Sequence, residues 1–278
     1  MPRVLLVAAL AVASLSVIGC ADPSGSEEEG EEELATAGQE VRIDNGLTAN
    51  GLMTNGLTAN GLTANGAVMS LLEDDDARKI LAYVTTCALP MGERFDLTID
   101  GHPYTFEGAL GLAPGWGGET GSCDADCQSW VSGCILSRVN YTGDAVPISL
   151  RGPSASLVSA PEELAEFPSM EAVYFGDLFS DPPKRFACTA HGSTLIERVC
   201  GPSTTGCVVD VVGDCDDYFT LGGAPTARCG IPDTGEGYYP DCRDNQGTTH
   251  LGSVTVYRQC GNGVCDTTET TASCPQDC

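Results

Sequence analysis

Cysteine constrains this chain more than any other residue. Fifteen occur among 278 residues, and thiols stay reduced in the cytosol, so a set this large points to an oxidising compartment. Ten fall between Cys87 and Cys242, four in the last nineteen residues, and one, Cys20, at the end of the apolar N-terminal run. The total is odd. Setting Cys20 aside leaves fourteen, an even number that can all pair.

Residues 1–19 read as a signal peptide. Arg3 gives a short basic start, and Val4 to Ile18 is uncharged and apolar. At about fifteen residues the run is short for a spanning helix, which needs roughly 20. Its end, Val17-Ile18-Gly19-Cys20, resembles a bacterial lipobox, with Val where Leu is usual. Lipidation of Cys20 is the expectation; the alternative is an ordinary secretory peptide with Cys20 in a disulfide. Acyl chains contribute about 0.8 kcal/mol per buried CH₂, and two or more anchor stably. Ala21 follows Cys20 and Asp22 comes one place later. In lipoprotein sorting systems, Asp directly after the lipidated Cys retains the chain at the inner membrane, so this resemblance favours the outer membrane.

Residues 20–69 form the next segment. Glu27-Glu28-Glu29 and Glu31-Glu32-Glu33 sit among few apolar side chains. Dense like charge without a core makes a solvated linker, a reading preferred to cation or partner binding by the Glu run. A five-residue period follows, with units opening at Asn45, Asn50, Asn55, Asn60 and Asn65, the first being Asn45-Gly46-Leu47-Thr48-Ala49. Pentapeptide β-helices put an apolar residue directly after Asn or Asp, whereas Gly intervenes here. Five units are also too few to stack into a solenoid core. Asn-Gly favours turns, so a flexible spacer is expected; the lone Leu of most units could instead dock on the neighbouring domain. As a flexible coil, residues 21–69 span about 35–42 Å root-mean-square.

Residues 70–258 read as a disulfide-stapled α+β domain with two or three helices and short antiparallel strands. Ser70-Leu71-Leu72-Glu73 has capping-box form, and Ala77, Ile80, Leu81, Val84, Cys87 and Ala88 recur at helical spacing before Pro90 and Gly92 end the helix. A hairpin follows. Phe95, Leu97 and Ile99 alternate up to Asp100-Gly101, then His102, Tyr104 and Phe106 alternate back, which places all six on one face. A second helix is expected from Asp124 to Val139, with Cys127, Trp130, Val131, Cys134 and Arg138 along one stripe. Packing of these two helices predicts a Cys87–Cys134 bridge, with the Cα atoms about 4.4–6.8 Å apart. Strands are expected at 146–150, 172–175, 185–188, 195–200, 207–212 and 253–257, with a short helix at Pro161–Glu166. The stretch from Thr220 to Thr249, rich in Gly and Pro, reads as loop.

The charge balance bears on partners. Thirteen Lys and Arg against 39 Asp and Glu give a net charge of −26. Nucleic-acid affinity depends on cationic side chains, so no nucleic-acid partner is expected, nor docking on anionic lipid through charge. Reaction motifs are scarce. There is no Gly-x-Ser-x-Gly elbow, P-loop or dinucleotide fingerprint. The three histidines, His102, His191 and His250, lie far apart in sequence and lack the helical His-Glu-x-x-His spacing of hydrolytic zinc sites. Ser149 and Ser154 flank Arg151-Gly152-Pro153 with no local base. Asp210, Asp214, Asp216 and Asp217 surround Cys215 without calcium-loop spacing and read as a solvated turn. No cofactor is expected, save the calcium site considered next.

Residues 259–278 form a separate module, Cys260-Gly261-Asn262-Gly263-Val264-Cys265, then Glu269, then Cys274-Pro275-Gln276-Asp277-Cys278. The spacing C-x₄-C-x₈-C-x₃-C resembles short cysteine-rich repeats on surface and secreted proteins of myxobacteria and other bacteria. A stretch this short buries no core, so bridges or a metal must hold it. Disulfides are preferred to zinc, with Cys260–Cys274 and Cys265–Cys278 interleaved, because that pairing ties both halves together. Each such loop of about fifteen residues contributes roughly 3 kcal/mol in the chain-entropy model. Asn262, Asp266, Glu269 and Asp277 would then converge, and a weak Ca²⁺ site there competes with simple turn capping by the carboxylates.

Four further stretches carry a family resemblance: 83–90 (Tyr83-Val84-Thr85-Thr86-Cys87-Ala88-Leu89-Pro90), 110–114 (Leu110-Gly111-Leu112-Ala113-Pro114), 130–134 (Trp130-Val131-Ser132-Gly133-Cys134) and 146–153 (Val146-Pro147-Ile148-Ser149-Leu150-Arg151-Gly152-Pro153). With the Asn-Gly-Leu units they resemble a group of uncharacterised predicted lipoproteins of myxobacteria, over roughly residues 45–215. The resemblance implies an anchored envelope protein and no particular reaction. A non-catalytic role in binding, adhesion or envelope architecture is therefore expected, with an exported hydrolase as the alternative. If Cys20 is the anchor, Cys20→Ala should move the protein from the membrane fraction to the soluble fraction. Unchanged membrane retention, or a mature N-terminus other than acylated Cys20, would refute it.

Overall fold

A computed structural model describes residues 75–99, 101–117, 121–143, 145–190, 193 and 195–259. The first helix, α1, is Asp75–Ala88; the capping box proposed at Ser70 falls outside the described residues. Ile80, Leu81, Val84, Cys87 and Ala88 are buried along one stripe. Helix C-termini leave carbonyls unpaired, and here a later segment supplies their donors. Leu110 N–H bonds Thr86 O at 2.9 Å, Leu112 N–H bonds Cys87 O at 3.0 Å, and Ala113 N–H bonds Ala88 O at 2.9 Å. Two of the stretches that carry the family resemblance thus dock on each other through their backbones.

The hairpin of β1 (Arg94–Ile99) and β2 (His102–Glu107) pairs Phe95 with Phe106, Leu97 with Tyr104 and Ile99 with His102, the register expected from alternation. Phe95 and Phe106 are buried, while Leu97 and Tyr104 are half-buried against the main core. His102, at the turn, is exposed.

Helix α2, Ala125–Ser137, starts where Asp124 accepts a hydrogen bond from Cys127 N–H at 3.0 Å. Every residue from Val131 to Ser137 is buried. Cys134 is bridged to Cys87 with the Cα atoms 6.1 Å apart, so α1 and α2 are joined through their apolar stripes. Gly133 lets α2 lie directly on the sheet: a Cβ there would stand 2.7 Å from Gly252 O.

Five strands form the central sheet: β3 (Ile148–Arg151), β4 (Ser169–Asp177), β5 (Lys184–Thr189), β6 (Asp210–Asp214) and β11 (Val254–Arg258). Their order is β3-β11-β4-β5-β6, antiparallel except for β5 and β6. Side chains of a strand alternate between faces, and β4 is buried on both. Ala172 and Tyr174 join the large core with α1 and α2. Val173 and Phe175 join a second cluster with Cys188, Val212, Cys215, Cys229, Tyr239 and Cys242. The second face is covered by β9 (Asp241–Arg243) and β10 (Thr249–Leu251). Beside them lies the ribbon of β7 (Tyr218–Leu221) and β8 (Ala224–Ala227). No helix among the described residues is long and apolar enough to cross a membrane.

The fold is α+β, with four α-helices among the described residues. The expected short helix is α3, Pro161–Glu166. Two expectations are corrected. Residues 195–200, read as a strand, hold the one-turn helix α4, Glu197–Cys200. A short apolar run does not distinguish strand from helix; here a buried arginine and a bridge to Cys207 decide it. The stretch from Thr220 to Thr249, read as loop, holds β8, β9 and parts of β7 and β10. These strands are three or four residues long, too short for alternation to show in sequence.

The arginine is Arg198, fully enclosed between α4 and β4. It forks onto both carboxylate oxygens of Glu171, and its other arm donates to Val139 O at 2.6 Å, just beyond α2. Tyr174 donates its hydroxyl proton to Glu171 Oε1 at 2.6 Å, and Arg258 on β11 stands 3.9 Å from Oε2. Burial alone would raise the Glu171 pKa, but Arg198, Arg258 and the Tyr174 hydrogen bond outweigh it and hold the carboxyl below its ordinary value. Removing one partner of such a pair strands a buried charge, at about 3–5 kcal/mol. Arg198→Met should therefore cost about that much in denaturant unfolding with the bridges intact. The double variant Glu171→Leu/Arg198→Met should lose less than Arg198→Met alone; additive losses would show that the two groups do not act as a pair.

Candidate functional site

Around the outer end of β6 the chain leaves a cleft of about 930 Å³. Its walls come from β6, the loop closed by Cys200–Cys207, the turn after β6, and the turn between β9 and β10. Asp210, Asp214, Asp217 and Asp244 line it, with Phe186 as an apolar patch. The local folding follows from the sequence. On β6, Val212 is buried in the second core, while Asp210 is exposed and Asp214 half-buried. Asp214 then caps its own turn, accepting from Asp216 N–H at 2.9 Å. Asp216 accepts the Tyr239 hydroxyl proton at 2.6 Å, and burial together with that bond raises the Tyr239 pKa.

Asp244 lines the cleft from the turn between β9 and β10, and His250 pairs with it. Asp244 Oδ1 accepts from Gln246 N–H at 2.8 Å and Thr248 N–H at 2.9 Å, while Oδ2 lies 3.2 Å from His250 Nε2. Both residues are buried. The imidazole sits between Phe175 and Phe186, at centroid distances of 5.6 and 5.4 Å. Burial pushes the Asp244 pKa up, but His250 and the two backbone donors outweigh it and hold the carboxyl below its ordinary value. Arg228 reinforces this corner, donating to Arg243 O at 2.9 Å and Asn245 Oδ1 at 3.0 Å.

Carboxylate–imidazole pairs orient general bases in hydrolases, which need a nucleophile within reach of the ring. Ser193 lines the cleft, but its hydroxyl donates to Leu195 O at 2.9 Å. The pair is engaged in pinning the Asp244–His250 turn. Of the other histidines, His102 stands exposed in its hairpin, and His191 lies outside the described residues. Ser149 accepts from Arg151 at 3.2 Å, and Ser154 caps a short turn by accepting from Ser156 N–H at 3.3 Å.

All ten cysteines of the domain stand in five bridges: Cys87–Cys134, Cys123–Cys127, Cys188–Cys215, Cys200–Cys207 and Cys229–Cys242. Cys20 and the tail residues Cys260, Cys265, Cys274, Cys278, Asn262, Asp266, Glu269 and Asp277 lie outside the described residues. The four aspartates around Cys215 are legible in sequence. Asp244 and His250 are not, because nothing local announces that a turn brings together two residues six positions apart.

Comparison with known families finds the GLTT repeat, in six copies over residues 45–68. By Asn-Gly spacing alone the same region holds five units. The match identifies the segment as repetitive. No curated protein and no solved structure is similar to the chain.

The Asp244 geometry gives a pH prediction. A carboxylate whose pKa is depressed in the folded state stabilises above its unfolded value, about 3.9 for Asp, and that stability is lost as pH falls through the folded pKa. Asp244→Asn should lower stability by about 1–2 kcal/mol at neutral pH. It should also flatten the decline in unfolding free energy below pH 4. An unchanged acid slope would mean that Asp244 contributes nothing to it.

Proposed function

We propose that the chain is a lipid-anchored envelope protein whose domain acts by binding rather than catalysis. The signal peptide over 1–19 and the lipobox ending at Cys20 support the anchor, and Ala21 after the lipidated Cys favours the outer membrane. The acidic linker and the repeat then act as a spacer that holds the domain clear of the bilayer. The resemblance to myxobacterial predicted lipoproteins and to bacterial cysteine-rich repeats supports the same setting. The terminal module serves as a small covalent knot, with a weak Ca²⁺ site at Asn262, Asp266, Glu269 and Asp277 as its one cofactor proposal.

One observation carries the binding reading. The cleft has the volume of a ligand site and four carboxylates on its walls, while its one acid–base pair is engaged in holding a turn. The carboxylates suit a cationic segment of an envelope or extracellular partner, whose approach the net charge of −26 would steer. A second reading, an exported hydrolase, draws on the Asp244–His250 pair beside the same cleft.

The test separates the two. Asp210→Asn/Asp214→Asn/Asp217→Asn in the full chain should weaken binding of a Lys/Arg-rich peptide at least tenfold and reduce its salt dependence. Turnover of a peptide, ester or glycan that is lost in His250→Gln would overturn the binding reading in favour of the hydrolase. Equal peptide binding by the triple variant and the wild type would remove the cleft from it.

A further inference from the structure

The bridges Cys188–Cys215 and Cys229–Cys242 share the second core and touch. Cys188 Sγ lies 3.3 Å from Cys229 Sγ and 4.0 Å from Cys242 Sγ. These three sulfurs fall within 4.8 Å of one another, and no other three cysteines among the described residues come so close. Cys215 stands outside that triangle, although it is bonded to Cys188. All four are buried, Cys229 being the most exposed at 6%.

Disulfide exchange is attack of a thiolate on one sulfur of a bridge, with the other sulfur leaving. A thiolate at Cys229 would have Cys188 Sγ as its neighbour, and the leaving sulfur, Cys215, lies outside the group containing the attacker. Attack in the other sense is poorly placed. Distances of 3.3 and 4.0 Å from Cys188 to the two sulfurs of Cys229–Cys242 put Cys188 beside that bond rather than at its end. The exchange therefore has a direction.

We propose that these four cysteines form one exchange unit, in which reduction at Cys229–Cys242 is passed to Cys188–Cys215. The reductant is a small dithiol. It attacks Cys229, the more exposed of the two, releases Cys242, which takes up a proton, and then closes into its own disulfide, freeing Cys229 as a thiolate. Cys229 attacks Cys188 Sγ; the Cys188–Cys229 bond forms, the Cys188–Cys215 bond breaks, and Cys215 leaves as a thiolate. Two electrons and two protons move from the dithiol to the protein. The protein finishes with one bridge, Cys188–Cys229, and thiols at Cys215 and Cys242.

The consequence falls on the cleft. Cys215 holds the turn that carries Asp214 and Asp217, and Cys242 precedes Asp244 by two residues; all three aspartates are wall residues. Exchange unfastens both walls while the new bond keeps β5 tied to the segment around Cys229. This step is independent of what the cleft binds.

The experiment uses the full chain. Cys242→Ser leaves Cys229 without its partner, so no reductant is needed. After native alkylation and non-reducing peptide mapping, a Cys188–Cys229 pair with alkylated Cys215 is expected in most molecules. An intact Cys188–Cys215 bridge with alkylated Cys229 overturns the proposal. The double variant Cys215→Ser/Cys242→Ser guards against misfolding. It should form Cys188–Cys229 and keep the other three bridges of the domain, with amide exchange over residues 213–217 at least tenfold faster than in the wild type. Two free thiols at Cys188 and Cys229 in a chain that keeps those three bridges overturn it. In the wild type, one equivalent of dithiothreitol should expose Cys215 and Cys242 together. Exposure of Cys229 with Cys242, or of Cys188 with Cys215, counts against the relay.

Discussion

The buried contact between Arg198 and Glu171 fastens three separate parts of the domain to one another. Through it α4, β4 and the end of α2 meet on one guanidinium, with Tyr174 and Arg258 completing the shell. Charges in a core are costly unless every donor and acceptor is engaged. Here nearly every arm has a named partner, so the contact stabilises little by itself but penalises any arrangement that moves one element alone. It also explains a local choice. Residues 197–200 coil into a single turn because only that turn carries Arg198 inward and sets Cys200 toward Cys207.

The sheet divides the domain into two kinds of interior. On one face α1 and α2 bury aliphatic and aromatic side chains in the ordinary way. On the other, the covering strands are three or four residues long, far less than a stable layer needs by hydrophobic burial alone. Sulfur compensates: four of the eight buried members of that cluster are cysteines. The cleft opens at this second interior, where the packing relies on covalent bonds and where Asp244 and His250 fix the last turn.

How much could be read beforehand depended on length and periodicity. The β1–β2 register followed from six alternating residues around Asp100-Gly101, and the Cys87–Cys134 contact followed from two helical stripes. Where elements shrink to one turn or three residues, the pattern carries no period. Residues 195–200 read as a strand because Leu195, Ile196 and Val199 suit either state, and Arg198 gave no sign of its distant partner Glu171. The cleft was half legible. Its aspartates near Cys215 formed a visible cluster, whereas Asp244 and His250 acquire meaning only once the turn between β9 and β10 closes. Which cysteines neighbour which is likewise a property of the sheet's second face, and spacing does not encode it.

The Cys87–Cys134 bridge also sets a load path. Tension arriving from the N-terminal side enters the described domain at α1. It can unwind that helix only as far as Cys87. There the force crosses the sulfur bond into α2, which lies against β4 with Gly133 pressed on the backbone of Gly252. The hairpin and the loops between the two cysteines sit on a slack branch and carry none of it. A chain built this way is reeled from that end without the segment between Cys87 and Cys134 being pulled out, and the strain is delivered to the strand at the centre of the sheet.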